Sequence, residues 1–182
     1  MEVNIISGVL LEARQCDSPN CDDRPETPID LVVVHNISLP PGQFGGPFID
    51  ALFTNALNPL DDEYFADIAH LCVSSHLLIR RDGELVQYVP FHRRAWHAGI
   101  SSYRGREKCN DFSVGIELEG TDDQAYQEVQ YEVLAAVVNA LIKTYPGIDA
   151  ERIVGHSDIA HGRKTDPGVA FNWDHFRGLL DD

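Results

Sequence analysis

"LVVVH", residues 31–35, is a run of four apolar residues, three of them β-branched, closed by one imidazole. Apolar residues without polar alternation predict a central strand covered on both faces. The flanking text supports that frame. "SPNCDDRPETPID", residues 18–30, completes an irregular lead-in over 1–30, and "PPGQFGG", residues 40–46, cannot be regular structure. The strand therefore ends at His35 and a long loop opens at Asn36.

Working outward, "PFIDALFTNAL" spaces Ile49, Phe53 and Leu57 as a helix that ends before Asn58-Pro59, and "EYFADIAHLC" reads as a weaker second helix. "SHLLIRRDGELVQYVP" sets two apolar runs around Asp82-Gly83, the signature of a hairpin with a primed turn. In "FSVGIELEG", Val114, Ile116 and Leu118 fall on one face and Gly115, Glu117 and Glu119 on the other. The best helix runs from about Gln127 to Tyr145, with a stripe of Val129, Val133, Val137, Ala140 and Leu141 and a stop at Pro146-Gly147. "RIVGH" adds a short strand and "FNWDHFRGLL" a closing helix. The expected fold is α/β: one domain over 1–182, with a central mixed β-sheet flanked by helices.

At 182 residues the chain can bury one sizeable core. Its net charge of −15 argues against nucleic acid or an anionic membrane surface as partner, yet leaves room for an anionic small molecule in a locally basic pocket. "MEVNIISGVLLEARQC" does not match a secretory signal, and no run reaches membrane-spanning length. Cys16, Cys21, Cys72 and Cys109 lack the paired spacing of a zinc ribbon or disulfide framework, so free thiols in a reducing cytoplasm are expected.

The chemistry concentrates in "GHSDIAHGRKTDPG", residues 155–168. His156 follows a strand-like run, as His35 does, so both rings can project from one sheet edge, and Asp166 lies ten residues beyond His156. Two imidazoles and a carboxylate make a catalytic zinc set, with a fourth position left for a water whose pKa falls to about 7. Spacing alone leaves Asp158 and His161 open as ligands, and leaves open a plain solvated loop.

Four long motifs in order, "VVVHNISLPPGQFGGPFIDALF", "VSSHLLIRRDGELVQYVPFHRRAWHAG", "CNDFSVGIELEGTD" and "GHSDIAHGRKTDPG…FNW", resemble the AmpD-type zinc N-acetylmuramoyl-L-alanine amidases over roughly residues 8–180. The resemblance implies hydrolysis of the amide joining the lactyl group of 1,6-anhydro-N-acetylmuramic acid to L-alanine, in cytoplasmic peptidoglycan recycling. It implies one Zn2+ held by His35, His156 and Asp166, and places neither Asp158 nor His161 on the metal. It makes Glu117 the general base and sets the Lys164 ammonium beside the developing oxyanion; Arg163, by its place on the loop, reads as a salt-bridged surface residue. Asn36, Trp96, His97 and Lys108 are the candidate contacts for the muropeptide, a small-molecule substrate; no obligate protein partner is implied.

The chain departs from the family at three positions. His161 replaces a proline, and Lys108 and Cys72 stand where arginine is expected; lysine keeps the charge without the bidentate fork, and cysteine loses both. The remaining histidines, His70, His76, His92 and His175, read as surface or satisfied core. The competing expectation is a muropeptide-binding module of the same fold without activity. An envelope amidase acting on polymeric wall is a third.

Overall fold

The computed structural model describes residues 1–4 and 6–181. The run beginning at Leu31 forms a strand, Leu31–Ile37, two residues longer than the sequence predicts, with its first five residues buried. It lies second in a six-stranded sheet ordered Ile153–Gly155, Leu31–Ile37, Ser113–Glu119, Leu77–Ile79, Leu85–Gln87 and Arg14–Gln15. The first four run parallel, Leu85–Gln87 is antiparallel to Leu77–Ile79, and Arg14–Gln15 is parallel to Leu85–Gln87. The sheet is mixed and flanked by helices, as expected.

Alternation distributes the two faces. Val32, Val34, Val114, Ile116 and Leu118 pack against Leu134, Val138 and Leu141 of the helix Glu128–Thr144. Leu31 and Val33 point the other way, onto Ala98, Phe112 and Ile159. Helix Phe48–Phe53 contributes Ile49, Leu52 and Phe53 to a further cluster with Leu78 and Val86. Both faces of the Leu31 strand are therefore covered, which is why it reads as uninterrupted apolar sequence.

Several local expectations are corrected. The hairpin does not close with a two-residue primed turn: Gly83 N–H donates to Arg80 O at 3.0 Å, Arg80 N–H to Glu84 O at 2.9 Å, and Gly83 takes φ +88°. That is a three-residue loop ending in a left-handed glycine. The long helix buries Gln130, Tyr131, Leu134, Val137, Val138 and Leu141, a stripe rotated from the predicted one, with Val129 and Val133 only half-buried at its margin. The helix after Pro47 ends at Phe53, and the second is one turn, Phe65–Ile68. Within the lead-in, Val3–Asn4 pairs with Val9–Leu10, Arg14–Gln15 joins the sheet edge, and Cys21–Asp23 pairs with Arg93–Ala95. Among the described residues no helix is long and apolar enough to cross a membrane.

Candidate metal centre and cleft

Parallel register assembles the site. Val34 faces Gly155 across one ladder and His35 faces Glu117 across the other, so His35, His156 and Glu117 gather at the carboxyl ends of three adjacent strands. The crevice beyond such strand ends is where open α/β sheets bind ligands. His156 opens a one-turn helix, His156–Ile159, and the chain returns until Ser157 N–H donates to Asp166 O at 3.0 Å. That bond brings the Asp166 carboxylate back over the two rings.

The three donor atoms form an equilateral triangle. His35 Nδ1 to His156 Nδ1, His35 Nδ1 to Asp166 Oδ2 and His156 Nδ1 to Asp166 Oδ2 are each 3.0 Å. The three atoms lie close enough together to share one ion. Two imidazole nitrogens and one carboxylate oxygen are a zinc donor set, and no other group of described residues offers such a cluster. Burial pushes the His35 imidazole down to about 4, against the pull of Asp166. Burial also raises the Asp166 carboxyl, but its 3.0 Å contacts with the ring nitrogens of His156 and His35 outweigh it and hold the group below the usual carboxylate range. A neutral His35 ring beside an ionised carboxylate is the protonation state that metal binding requires.

Above the triangle lies a cleft of about 710 Å³, whose lining includes His35, Asn36, Trp96, His97, Glu117 and Lys164. Glu117 is 8% exposed, and its Oε2 has no hydrogen-bond partner among the described residues. Burial, then the charge of Asp166, pushes its pKa well up, with Lys164 pulling the other way. Glu119, on the same strand face, is committed elsewhere: its carboxylate accepts from Gly45 N at 2.7 Å and Arg81 N at 3.1 Å, pinning the loop after the Leu31 strand.

The other candidates separate. Lys164 is exposed on the cleft wall. The Asn36 amide donates to Asp122 Oδ1 at 2.7 Å and Pro167 O at 3.1 Å, so both its protons are used and only its oxygen is left for a ligand. Trp96 anchors its indole N–H on Asp22 Oδ1 at 3.2 Å. His97 Nδ1 lies 2.9 Å from His35 Nε2, directly behind a triangle corner. Lys108 is exposed in a left-handed backbone conformation with its N–H on Ser101 O, and it is not among the residues lining the cleft. Asp158 accepts from Gly155 N at 2.7 Å and so caps the short helix instead of joining the triangle, while His161 is exposed. Arg163 corrects expectation: among the described residues it pairs with no carboxylate but donates to Ala98 O and Ile100 O, each at 2.7 Å, from within the cleft lining. Sequence reasoning missed that role, and missed Asp122 as the partner of Asn36; both depend on contacts across more than sixty residues of chain.

Comparison with known proteins gives a consistent result. The sequence profile of N-acetylmuramoyl-L-alanine amidase matches residues 25–169. The chain is 65% identical over 175 residues to the 1,6-anhydro-N-acetylmuramyl-L-alanine amidase AmpD of Citrobacter freundii, covering 95% of this chain and 92% of that protein. A crystal structure of a selenomethionine AmpD derivative superposes with a TM-score of 0.96 at 62% identity, covering 100% of both chains. The Escherichia coli amidase AmiD, in complex with the substrate anhydro-N-acetylmuramic acid-L-Ala-D-γ-Glu-L-Lys, aligns with a TM-score of 0.61 at 30% identity, over 87% of this chain and 60% of that one.

Proposed function

The chain belongs to the N-acetylmuramoyl-L-alanine amidase family, in its AmpD type, and from that premise we propose that it releases stem peptides from 1,6-anhydro-muropeptides through one zinc ion, in cytoplasmic peptidoglycan recycling. The observation that carries the reading is the 3.0 Å triangle of His35, His156 and Asp166 with the unpartnered Glu117 carboxylate on the neighbouring strand. His35, His156 and Asp166 would hold the zinc, which would supply Lewis-acid chemistry for the scissile carbonyl and for water at neutral pH.

The protein side of the reaction belongs to the cleft residues. Glu117, kept basic by its elevated pKa, takes the proton from the attacking water and delivers it to the L-alanine nitrogen as the amide breaks. The Lys164 ammonium faces the negative charge that grows on the carbonyl oxygen, an interaction stronger in the transition state than in the substrate. Asn36 offers its side-chain oxygen to a substrate N–H, and Trp96 gives a flat apolar wall for the sugar or peptide edge. The four unpaired cysteines suit a reducing compartment.

Mass analysis of a purified anhydro-muropeptide incubated with the protein tests this reading. Free stem peptide that disappears with a chelator and returns with added zinc is expected. Intact muropeptide bound without cleavage would replace the enzyme by the binding-module reading.

A further inference from the structure

We propose that Ser113 and His97 form a two-residue support that places the single proton of His35 on Nε2 and turns its Nδ1 lone pair toward the metal site. The inference rests on the zinc reading above, and it concerns residues outside the ligand triangle. His97 enters it as a positioning residue, distinct from the substrate contact its neighbourhood to Trp96 suggests.

Cys109 O is a backbone carbonyl and can only accept, and Ser113 Oγ lies 2.6 Å from it, so the hydroxyl proton points there. The Ser113 oxygen then accepts, and its neighbour at 3.1 Å, His97 Nε2, must carry the N–H. A neutral imidazole has one N–H, so His97 Nδ1 is an acceptor. At 2.9 Å it faces His35 Nε2, which is therefore the donor. His35 Nδ1 is left bare at a corner of the triangle.

The opposite polarity fails at both ends. It would set the Ser113 and Cys109 oxygens 2.6 Å apart with no proton between them, and would put an N–H on His35 Nδ1, where zinc needs a lone pair. His156 reaches the same result in one step, since its Nε2–H donates straight to Ala98 O at 3.1 Å. The two ligands thus end on backbone carbonyls by routes of different length. The longer route depends on a seat for the His97 ring, which Gly115 provides: an ideal Cβ there would lie 2.5 Å from His97 Cγ. The His35 and His97 rings meet edge-to-face, with centroids 5.0 Å apart and planes at 86°.

Nitrogen-15 NMR of the zinc-free full chain, at about pH 7.5 where unperturbed imidazoles are neutral, reads the proton positions directly. His35 and His97 are expected as Nε2–H tautomers; an Nδ1–H on His97 overturns the proposal. Chelator competition then compares zinc affinity. Ser113→Ala is expected to weaken it by about 10–100-fold and Ser113→Thr, which keeps the hydroxyl, by less than about threefold. Unchanged affinity in Ser113→Ala overturns the proposal. If Ser113→Ala does not fold, the tautomers of the unaltered protein decide. A wild-type chain that binds no zinc would sink the functional reading, while the tautomers would still judge the support.

Discussion

Replacing Gly115 by alanine adds one methyl group where the His97 ring already sits. The new Cβ would meet His97 Cγ, Nδ1 and Cδ2 at 2.5, 2.6 and 2.7 Å, against an ordinary contact of 3.4–4 Å. The ring must move by about 1 Å to restore contact distance. Gly115 lies inside a strand, has no positive φ and is fully enclosed, so alanine suits its backbone and by itself adds about 0.4–1 kcal/mol of stability. Overpacking in a dense core costs about 1–3 kcal/mol. The collision therefore wins, and Gly115→Ala should lose about 1–2 kcal/mol, read as a shift in the urea midpoint of the zinc-free protein. The displaced ring also strains its 2.9 Å contact with His35 and its 3.1 Å contact with Ser113. Zinc affinity in chelator competition should fall at least about 10-fold. A variant as stable as the wild type and equally tight for zinc would refute the idea that the glycine exists to seat His97.

Other perturbations separate chemistry from architecture. Glu117→Gln should lower turnover by about 10²–10⁴-fold with zinc content unchanged; loss of metal in that variant would move Glu117 from proton transfer to metal retention. Arg24 gives its guanidinium to the carbonyls of Phe91, Asn110, Asp111 and Ser113 at 2.7–3.3 Å, and burial draws its pKa down to about 10. Arg24→Met strands those acceptors and should cost about 3 kcal/mol or more in denaturant unfolding; a loss under 1 kcal/mol would show that water replaces it freely. Hydrogen bonds from Arg94 hold the Asp22 carboxyl below its ordinary pKa despite some burial. A depressed folded-state pKa stabilises above the ordinary carboxylate value of about 3.9 and is lost as pH falls through the folded value. Asp22→Asn should accordingly be less stable than wild type near neutrality and converge with it in acid; parallel stability curves from neutral to acid pH would contradict that sign.

The convergence of His35, His156 and Asp166 is legible because its elements carry local signals. An apolar run closed by one histidine, twice, puts both rings toward the carboxyl ends of neighbouring strands before any tertiary contact is known, and "KTDPG" adds the carboxylate by resemblance. Other features depend on partners distant in sequence. Gln130 is polar and so falls outside the predicted apolar stripe, yet it is fully buried because its amide donates to Ile79 O and Glu119 O. Asp-Gly fits a two-residue primed turn and a three-residue loop equally well, and the strand ends choose the second. Arg24 sits in a lead-in that reads as irregular, and the carbonyls that hold it lie 67–89 residues away. Ser113 has no signal of its own: a serine opening a strand is unremarkable until Cys109 and His97 close on it.

The central claim is that zinc is gripped by two imidazoles and one carboxylate at the sheet edge. Zinc X-ray absorption on the purified full chain reads that shell directly. Nitrogen and oxygen scatterers at about 2.0–2.2 Å, with the multiple-scattering pattern of two imidazoles that drops to one in His35→Ala, are the predicted result. A sulfur shell at about 2.3 Å, or an imidazole pattern unchanged in His35→Ala, would contradict it.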